Sequence, residues 1–456
     1  MTADGPGPGA RQGLAYGIDD RPPVREAIPL GLQHLVAMLL GNITPPLLIA
    51  GALALSAHRT AFVLQMVLLM AGLATLVQSY PIGPIGGRIP VVMGTSIAFV
   101  GASIAVGREF GLAAVFGACL AASVVEIGLG ASIAGVRRLF PPLVNAIVVM
   151  LIGLTLIPVG MDYAAGGVGA ADYGSLAHLG IAALVLLVTL TLNQFARGFA
   201  SYASMLIGVA AGYLVVLATG GIDLSGVAAA GWLSAPRPFA LGLEFHWSAI
   251  GLMGFIYVIS TMETIGDISG TLAAAGREPT DPELRGGLVA DGVMSGFAAL
   301  FSAFPNTSYS QNVGLVNFTG VVSRHVTAVA GGFLILLGLV PKVGALFATI
   351  PPAVIGGAGL ILFAMIFSSG AAIFHRSVGL TQRNLVILAV SLGLGLGVEL
   401  RPDAIAHLPQ ALRTLFGSGL VTGGLVALTL NVVLPDRQRP AERDSRQDET
   451  TQADPA

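Results

Sequence analysis

Apolar stretches long enough to cross a lipid bilayer recur along almost the whole chain, and they limit the folds that this sequence can adopt. A bilayer core of about 30 Å requires roughly 20 apolar residues of helix per crossing. Because backbone groups in lipid must find partners within the protein, we expect these stretches to fold as α-helices. Breaks at glycine, proline or charged residues divide them into about fourteen predicted spans: 29–55, 61–79, 91–106, 111–135, 140–160, 176–194, 201–220, 246–272, 286–304, 309–322, 325–346, 351–373, 382–400 and 410–434.

The composition agrees with an all-α polytopic membrane protein. Hydrophobic residues make up 54% of the chain and charged residues only 10%. A net charge of −2 points to no acidic or basic partner, so nucleic acid is set aside. The single cysteine, Cys119, permits no internal disulfide. Residues 1–28 and 435–456 are polar, and we interpret both as tails.

The basic residues predict the orientation of the chain. If the N-terminus is cytoplasmic, sixteen of the 22 lysines and arginines fall in inside segments and six in outside segments. Cytoplasmic loops carry an excess of such residues. The asymmetry therefore favours an even number of spans, with both termini in the cytoplasm.

Matching proline positions indicate an internal repeat. The Pro-Pro pairs that begin at Pro141 and Pro351 are 210 residues apart, and Pro90 and Pro305, each before a short span, are 215 apart. That offset corresponds to about seven spans. A repeat with an odd number of spans inserts upside down relative to its copy, and such inverted repeats are typical of secondary transporters.

Two predicted spans, the third and the tenth, are broken. The proline- and glycine-rich segment 80–90 cannot be continuous helix, and it precedes the Gly94-Thr95-Ser96 run. In the second half, Pro305 precedes a span of only about fourteen residues, too short to cross the bilayer. If two half-helices begin near the midplane, their free N–H groups and positive dipole ends point into a cavity. A ligand with carbonyl oxygens or delocalised negative charge suits that position.

A polar run from Asn306 to Gly320 lies within this hydrocarbon-rich chain. Polar side chains in lipid require partners, protein burial or water, so the run indicates a site. Within it, Gln311 and Asn312 are adjacent amides that offer donors and acceptors without charge. That chemistry suits the edge of a planar heterocycle with alternating N–H and C=O groups.

A few ionisable residues fall inside predicted spans: His34, Glu126, His246, Glu263, Asp267 and Asp291. An intramembrane carboxylate is by default a functional residue, because its burial is unfavourable. Glu263 and Asp267 are four residues apart and share one helix face, so they point together into a cavity or towards a partner. The alternative is that they cap or bond neighbouring backbone.

The other ionisable residues are open to two interpretations. Asp291 is either a packing carboxylate or a proton-coupling group, and His34 is either a satisfied core histidine or a hydrogen-bond partner behind the site. We interpret Glu126 as structural and close to the membrane surface, because Arg137 and Arg138 follow about three turns later.

The polar run resembles the signature of a known family. Gln311-Asn312-x-Gly314, followed by Thr319-Gly320, is similar to the motif of the nucleobase–ascorbate transporters, also called nucleobase–cation symporter family 2. Further similarities lie at Gln33-His34, Gly94-Thr-Ser, Glu263-x-x-Gly266-Asp267 and Asp291-Gly292. The resemblance covers the whole chain apart from the tails.

The resemblance implies two domains, a homodimer and proton-coupled uptake by an elevator-like motion in the inner membrane of a bacterium. The core domain would comprise 29–135 and 246–346, and the gate domain 136–222 and 347–434. The substrate would be a nucleobase held by residues on spans 3, 8 and 10. The implied binding residues are Glu263, Gln311, Asn312, Ser310, Tyr309, Ser96, Ile97 and Phe99, and the implied proton-coupling residues are Asp267, Asp291, His34 and Glu263.

Two positions in this family bear on the choice of base. Uracil carriers usually have Glu at the Gln311 position and His at the Asp267 position, so this chain has the pattern of xanthine and uric acid carriers. Where many relatives place an aromatic residue in the third span, this chain has Ile97, and Phe99 is the nearest substitute for stacking on the base. No metal or cofactor is expected.

Three alternatives stay open at this point. The first is a carrier of uracil or another nucleobase. The second is an inorganic anion carrier with the same inverted repeats, because half-helix N-termini also suit sulfate or bicarbonate. The third is an intramembrane enzyme that uses paired carboxylates, although no second Asp-rich motif or His/Cys metal set accompanies Glu263 and Asp267.

Overall fold

The computed structural model describes residues 14–133 and 141–435. Eighteen helices of at least four residues and two strands occur in these ranges. In chain order they are α1 (Val24–Ala52), α2 (Ala57–Ser79), β1 (Met93–Thr95), α3 (Phe99–Phe110), α4 (Leu112–Ala131), α5 (Pro142–Ala164), α6 (Leu176–Phe195), α7 (Phe199–Tyr202), α8 (Ser204–Ala218), α9 (Ser225–Ala229), α10 (Trp247–Ala274), α11 (Asp281–Leu300), β2 (Asn306–Ser308), α12 (Ser310–Thr319), α13 (Arg324–Leu339), α14 (Pro341–Ala348), α15 (Pro352–Ser377), α16 (Gln382–Leu400), α17 (Gln410–Phe416) and α18 (Gly419–Val433). A short 3₁₀ turn, Pro402–Ile405, follows α16.

Eight of the described helices are long and apolar enough to cross a membrane, and nine spans result if α13 and α14 count as one. That pair is bent by 82° where Pro341 begins the second helix. Helices α8 and α18 are apolar but shorter. The prediction of a polytopic helical membrane protein is therefore confirmed. By helix length and apolar composition alone, the described residues contain eight or nine spans, fewer than the fourteen predicted.

The two predicted broken spans are short helices in the structure. Helix α3 has 12 residues and α12 has 10. Each is preceded by a three-residue strand, so the fold departs from the purely α-helical prediction at this point. Strands β1 and β2 pair antiparallel, with Gly94 opposite Thr307. The pair joins the two halves of the chain and places the N-terminal ends of both short helices at one location.

Helix packing in the first half recurs in the second. The contact between α2 and α13 corresponds to the contact between α11 and α4. The contact between α1 and α13 corresponds to the contact between α10 and α4. In the same way α6 packs on α8 and α16 packs on α18. Helices α5 and α15, which each begin at the second proline of a Pro-Pro pair, form the most extensive helix contact.

Part of the predicted N-terminal tail is bound to the protein. Residues 15–20, the N-terminal strap, run beside 320–324, where the amide of Val322 donates to the carbonyl of Tyr16 at 2.8 Å. The Asp19 carboxylate accepts from Arg324 at 2.7 Å and from Arg88 at 3.2 Å. The strap therefore ties the loop after α2 to the start of α13.

Candidate ligand-binding site

A cavity of about 690 Å³ lies against the β1–β2 pair. One wall comes from α1, α10, α12 and the two strands. The opposite wall comes from α5, α6, α7, α8 and α15. The lining includes six of the predicted site residues: Ile97, Glu263, Asp267, Tyr309, Ser310 and Gln311.

The two carboxylates on α10 have different surroundings although they lie one turn apart. Asp267 is buried and accepts hydrogen bonds from the hydroxyls of Ser308 and Ser310, each at 2.7 Å. Its two oxygens are therefore occupied. Glu263 also lines the cavity, but no donor among the described residues reaches its carboxylate. A ligand in the cavity thus meets an open acceptor at Glu263.

The two adjacent amide side chains of α12 also differ in whether protein groups already bind them. Asn312 is buried, and its Nδ2 donates to the carbonyl oxygen of His34 at 3.0 Å and lies 3.0 Å from His34 Nδ1. The pair fastens α12 to α1 behind the cavity rather than lining it. The Gln311 side chain lines the cavity and bonds to no described residue. Its amide is therefore available to a ligand as donor and acceptor.

The short helices present backbone donors to the same space. No carbonyl or side chain in 14–133 and 141–435 accepts from the N–H groups of Ile97, Ser310 or Gln311. These residues line the cavity at the N-terminal ends of α3 and α12. Free N–H groups and the positive ends of the helix dipoles favour a ligand with carbonyl oxygens or delocalised negative charge.

Tyr309 holds the strand pair together from the cavity side. Its hydroxyl donates to the carbonyl of Thr95 at 2.8 Å. Its ring lies between Gly41 and Gly94, where a Cβ would come within 2.6 Å and 2.7 Å of ring atoms. This explains why glycine begins the Gly94-Thr-Ser motif, because any side chain there would displace the tyrosine.

Besides Asn312, two further predicted binding residues lie outside the cavity lining. The backbone N–H of Ser96 donates to the carbonyl of Pro305 at 2.9 Å, so it extends the contact between the halves. Phe99 is fully buried and makes an edge-on contact with Tyr257 at 4.7 Å between ring centroids. The structure therefore gives Phe99 a packing contact and leaves Ile97 as the apolar residue at this end.

Asp291 and Glu126 also lie behind the cavity. Asp291 is fully buried and accepts from the hydroxyl of Thr264 at 2.5 Å. Glu126, which we interpret as structural and close to the membrane surface, is fully buried beside α11, and its depth in the membrane stays a prediction. Arg137 and Arg138, on which that interpretation depended, lie outside the described residues.

The opposite wall contributes polar residues that sequence reasoning missed. Asn145, Thr189, Asn193 and Ser369 all line the cavity from α5, α6 and α15. The only sequence signal was a polar residue within an apolar span. That signal does not separate a cavity residue from a serine or threonine that bonds its own helix, as Thr155 does.

The chain is similar in sequence to known permeases over most of its length. A family model described as a permease family, that of the xanthine and uracil permeases, matches residues 25–404. A Clostridium perfringens protein that is named as a purine permease is 40% identical over 442 residues. The alignment covers 96% of this chain and 97% of the relative. The uric acid transporter UacT of Escherichia coli is 38% identical (91% and 87% covered), and the xanthine permease of Bacillus subtilis is 36% identical (90% and 93%).

Solved structures of two anion transporters share the fold. The transmembrane domain of the cyanobacterial bicarbonate transporter BicA aligns with a TM-score of 0.57 over 88% of this chain and 97% of that domain, at 15% identity. Murine Slc26a9 in its inward-facing state aligns with a TM-score of 0.64 over 92% of this chain and 69% of that protein, at 12% identity. These identities establish a shared architecture and no more.

The family match resolves one of the three alternatives. The similar proteins are transporters, which excludes the intramembrane enzyme. Because the family model spans most of the chain and several relatives exceed 30% identity, the chain belongs to the xanthine/uracil permease family, also called nucleobase–cation symporter family 2.

Proposed function

We propose that the protein is a proton-coupled symporter that imports an oxidised purine base, xanthine or uric acid, across the bacterial inner membrane. One observation carries the proposal. In each of two neighbouring polar pairs, Glu263 with Asp267 and Gln311 with Asn312, one member is held by other protein groups and the other faces the cavity without a partner. An acceptor and an amide are thus reserved for a ligand.

The chemistry of an oxidised purine fits these groups. Glu263 accepts from ring N–H groups, and Gln311 pairs with an edge that offers both a donor and an acceptor. The free N–H groups of Ile97, Ser310 and Gln311 donate to the exocyclic carbonyls. A cavity of about 690 Å³ also leaves room for water around a base.

The architecture that we propose has fourteen spans in two inverted repeats. Every predicted span has a helix at its position, and the paired packing of the two halves supports the repeat. One cavity wall belongs to the core segments 29–135 and 246–346, and the other to the gate segments 136–222 and 347–434. A site between two bodies suits an elevator motion, with Asp267 or Asp291 responding to the proton. We also propose a homodimer with both termini cytoplasmic.

Anion transport is the rival function with structural support, because the solved relatives carry anions by name. The open Glu263 carboxylate argues against it. An ionised carboxylate repels a bare anion at short range, whereas a purine that carries N–H groups can satisfy it.

A binding panel tests the proposal. Purified protein is heated with xanthine, uric acid, hypoxanthine, guanine, uracil, ascorbate, bicarbonate or sulfate. A ligand that binds the folded state raises the melting temperature by mass action. We expect stabilisation by xanthine or uric acid only. Stabilisation by uracil alone or by bicarbonate alone would assign the site to one of the rivals.

Proteoliposomes then test the coupling. An imposed inward proton gradient should drive accumulation of the stabilising base, and collapse of the gradient with a protonophore should abolish it. Uptake that is indifferent to the gradient would reject symport but leave the substrate assignment intact.

A further inference from the structure

Glu126 is a buried carboxyl group that the proposed purine site does not use. Its residue has no solvent exposure, and neither carboxyl oxygen has a hydrogen-bond partner within the described ranges. It lies five residues before the end of α4, among the apolar residues of a helix long enough to span a membrane. A carboxyl group in such a place is strongly unfavourable unless a cation or a proton compensates it.

Close helix packing brings Asp291 to this group. A Cβ added at Gly292 would lie 2.8 Å from the backbone nitrogen of Ile127 and 3.1 Å from the carbonyl of Ser123, so α11 and α4 touch at backbone distance. The residues that precede Gly292 and Ile127 are Asp291 and Glu126. Both side chains are fully buried at this backbone contact, so the two carboxyl groups are neighbours on facing helices.

Among the described residues, no cationic side chain compensates the pair. Neither Glu126 nor Asp291 forms an ion pair with any described residue, and no group of three or more metal-ligating side chains occurs in 14–133 and 141–435. The other titratable groups that face the pair are Glu263 and Asp267, which are acidic, and the phenol of Tyr257. Tyr257 donates its own proton to the carbonyl of Cys119 at 3.0 Å. A proton is the compensating charge that remains.

A chain of hydroxyl groups links Asp291 to the cavity. The Thr264 hydroxyl lies 2.5 Å from Asp291 Oδ2 and 3.3 Å from the hydroxyl of Thr307. Thr307 lines the cavity, so these contacts provide a route between the cavity and Asp291.

The remaining oxygen of Asp291, Oδ1, is buried and has no partner among the described groups. A protonated Glu126 would donate to it, and that one hydrogen bond would give partners to two of the three orphaned carboxyl oxygens. We propose that Glu126 and Asp291 share one proton in a carboxyl–carboxylate pair behind the cavity. The pair communicates with the cavity through Thr264 and Thr307, and it is where the transported proton is held.

Infrared spectroscopy of ligand-free protein in lipid tests the shared proton. A protonated carboxyl group has a carbonyl stretch that shifts in D₂O. We expect Glu126→Gln to remove one such band from the native spectrum. Asp291→Asn should keep a band at an altered frequency, because Glu126 would then donate to the new amide oxygen. Glu399→Gln is the control, since Glu399 is a half-buried carboxyl on α16 that accepts from the Gly419 N–H at 2.7 Å, away from this pair.

An unchanged band in Glu126→Gln would overturn the shared proton. Folding of each variant is checked by its melting temperature and by purine binding, which Glu126→Gln should retain because Glu126 does not line the cavity. If Glu126→Gln fails to fold, Glu126→Asp replaces it, and a shifted band is then the expected result.

The transport role rests on the proposed function and is tested separately. In proteoliposomes, Glu126→Gln should lose accumulation driven by a proton gradient but keep purine exchange in its absence. Full gradient-driven accumulation by this variant would overturn the coupling role. If even the native protein binds no purine, the proposed function fails, while the infrared result still decides the existence of the pair.

Discussion

Two serine hydroxyls determine which carboxylate of α10 is open to a ligand. Ser308 and Ser310 come from β2 and α12, and both donate to Asp267. Glu263, one turn earlier, has no such donors among the described residues. The two carboxylates therefore differ in availability although they share a helix face.

This difference predicts different effects of two isosteric substitutions. Glu263→Gln should weaken xanthine or uric acid binding by about 1.5–3 kcal/mol, the range for a hydrogen bond to a charged group. Asp267→Asn should bind nearly normally, because its serine partners can rotate to meet an amide, and should keep proton-driven accumulation, because the proton is held at Glu126 and Asp291. Equilibrium binding and gradient-driven uptake are measured on the same preparations. Equal binding losses in both variants would contradict the division of roles.

Gln311 provides the second prediction at this scale. Gln311→Glu replaces a donor and acceptor with an acceptor that is charged when ionised, next to Glu263. We expect weaker binding of an oxidised purine, by about 1–3 kcal/mol, through the loss of one hydrogen bond and added repulsion. Titration of native and variant protein with the base measures the change. Gln382→Glu, at the exposed start of α16, makes the same change of charge away from the cavity and should leave affinity unaltered.

At the scale of elements, the strand pair depends on the space around Tyr309. Gly94→Ala places a methyl group where the closest ring atom lies 2.7 Å away. Overpacking of this kind costs about 1–3 kcal/mol. We expect a lower melting temperature and weaker purine binding, because Tyr309 would move away from Thr95.

Gly101→Ala serves as the matched control for that substitution. Gly101 lies in α3, and a Cβ there would meet no atom within 4 Å. Alanine is favoured over glycine in a helix by about 1 kcal/mol, so the control should melt at the same or a higher temperature. Equal destabilisation by both substitutions would show that the tyrosine contact is not the cause.

The N-terminal strap supplies a prediction that depends on pH. The hydrogen bond from Arg324 holds the pKa of Asp19 below its ordinary value. A lowered pKa in the folded state adds stability above the unfolded pKa of about 4, and this stability is lost as the pH falls through the folded pKa. Because the Asp19 side chain is 61% exposed, we expect less than about 1 kcal/mol.

Asp19→Asn should therefore melt slightly below the native protein at pH 7, and the difference should shrink as the pH falls below about 4 and vanish once Asp19 is protonated in the folded state. Thermal melts across this range measure the effect. Asp403→Asn, at an exposed residue that forms no ion pair with described groups, is the control and should show no such pH-dependent difference. A difference for Asp19→Asn that persists in acid would mean that packing rather than charge holds the strap.

At the scale of the whole molecule, apolar stretches of spanning length and the prolines between them predicted much of the fold. They located the helices and the two short broken spans, because span length and helix breaking are local properties of the chain. Strands β1 and β2 were not predictable in this way. Each has three residues, and its partner lies in the other half of the sequence.

The candidate site was predictable only in part, for a related reason. Residue type and the family motif selected Glu263 and Gln311, which line the cavity. They also selected Asn312 and Phe99, whose side chains point to other helices. The motif identifies residues that lie near the cavity, whereas three-dimensional packing decides which of their side chains line it. The closeness of Glu126 to Asp291 was not predictable either, because the two residues are far apart along the chain.

The pairing of β1 with β2 has a consequence for biosynthesis. More than 200 residues separate the two strands, so β1 leaves the ribosome roughly 10–40 seconds before its partner at ordinary rates of synthesis. During that interval its N–H and C=O groups lack the ladder that satisfies them in the finished protein, and lipid offers no substitute. The N-terminal half must therefore be inserted in an incomplete state, and the purine cavity comes into existence only when the second half arrives.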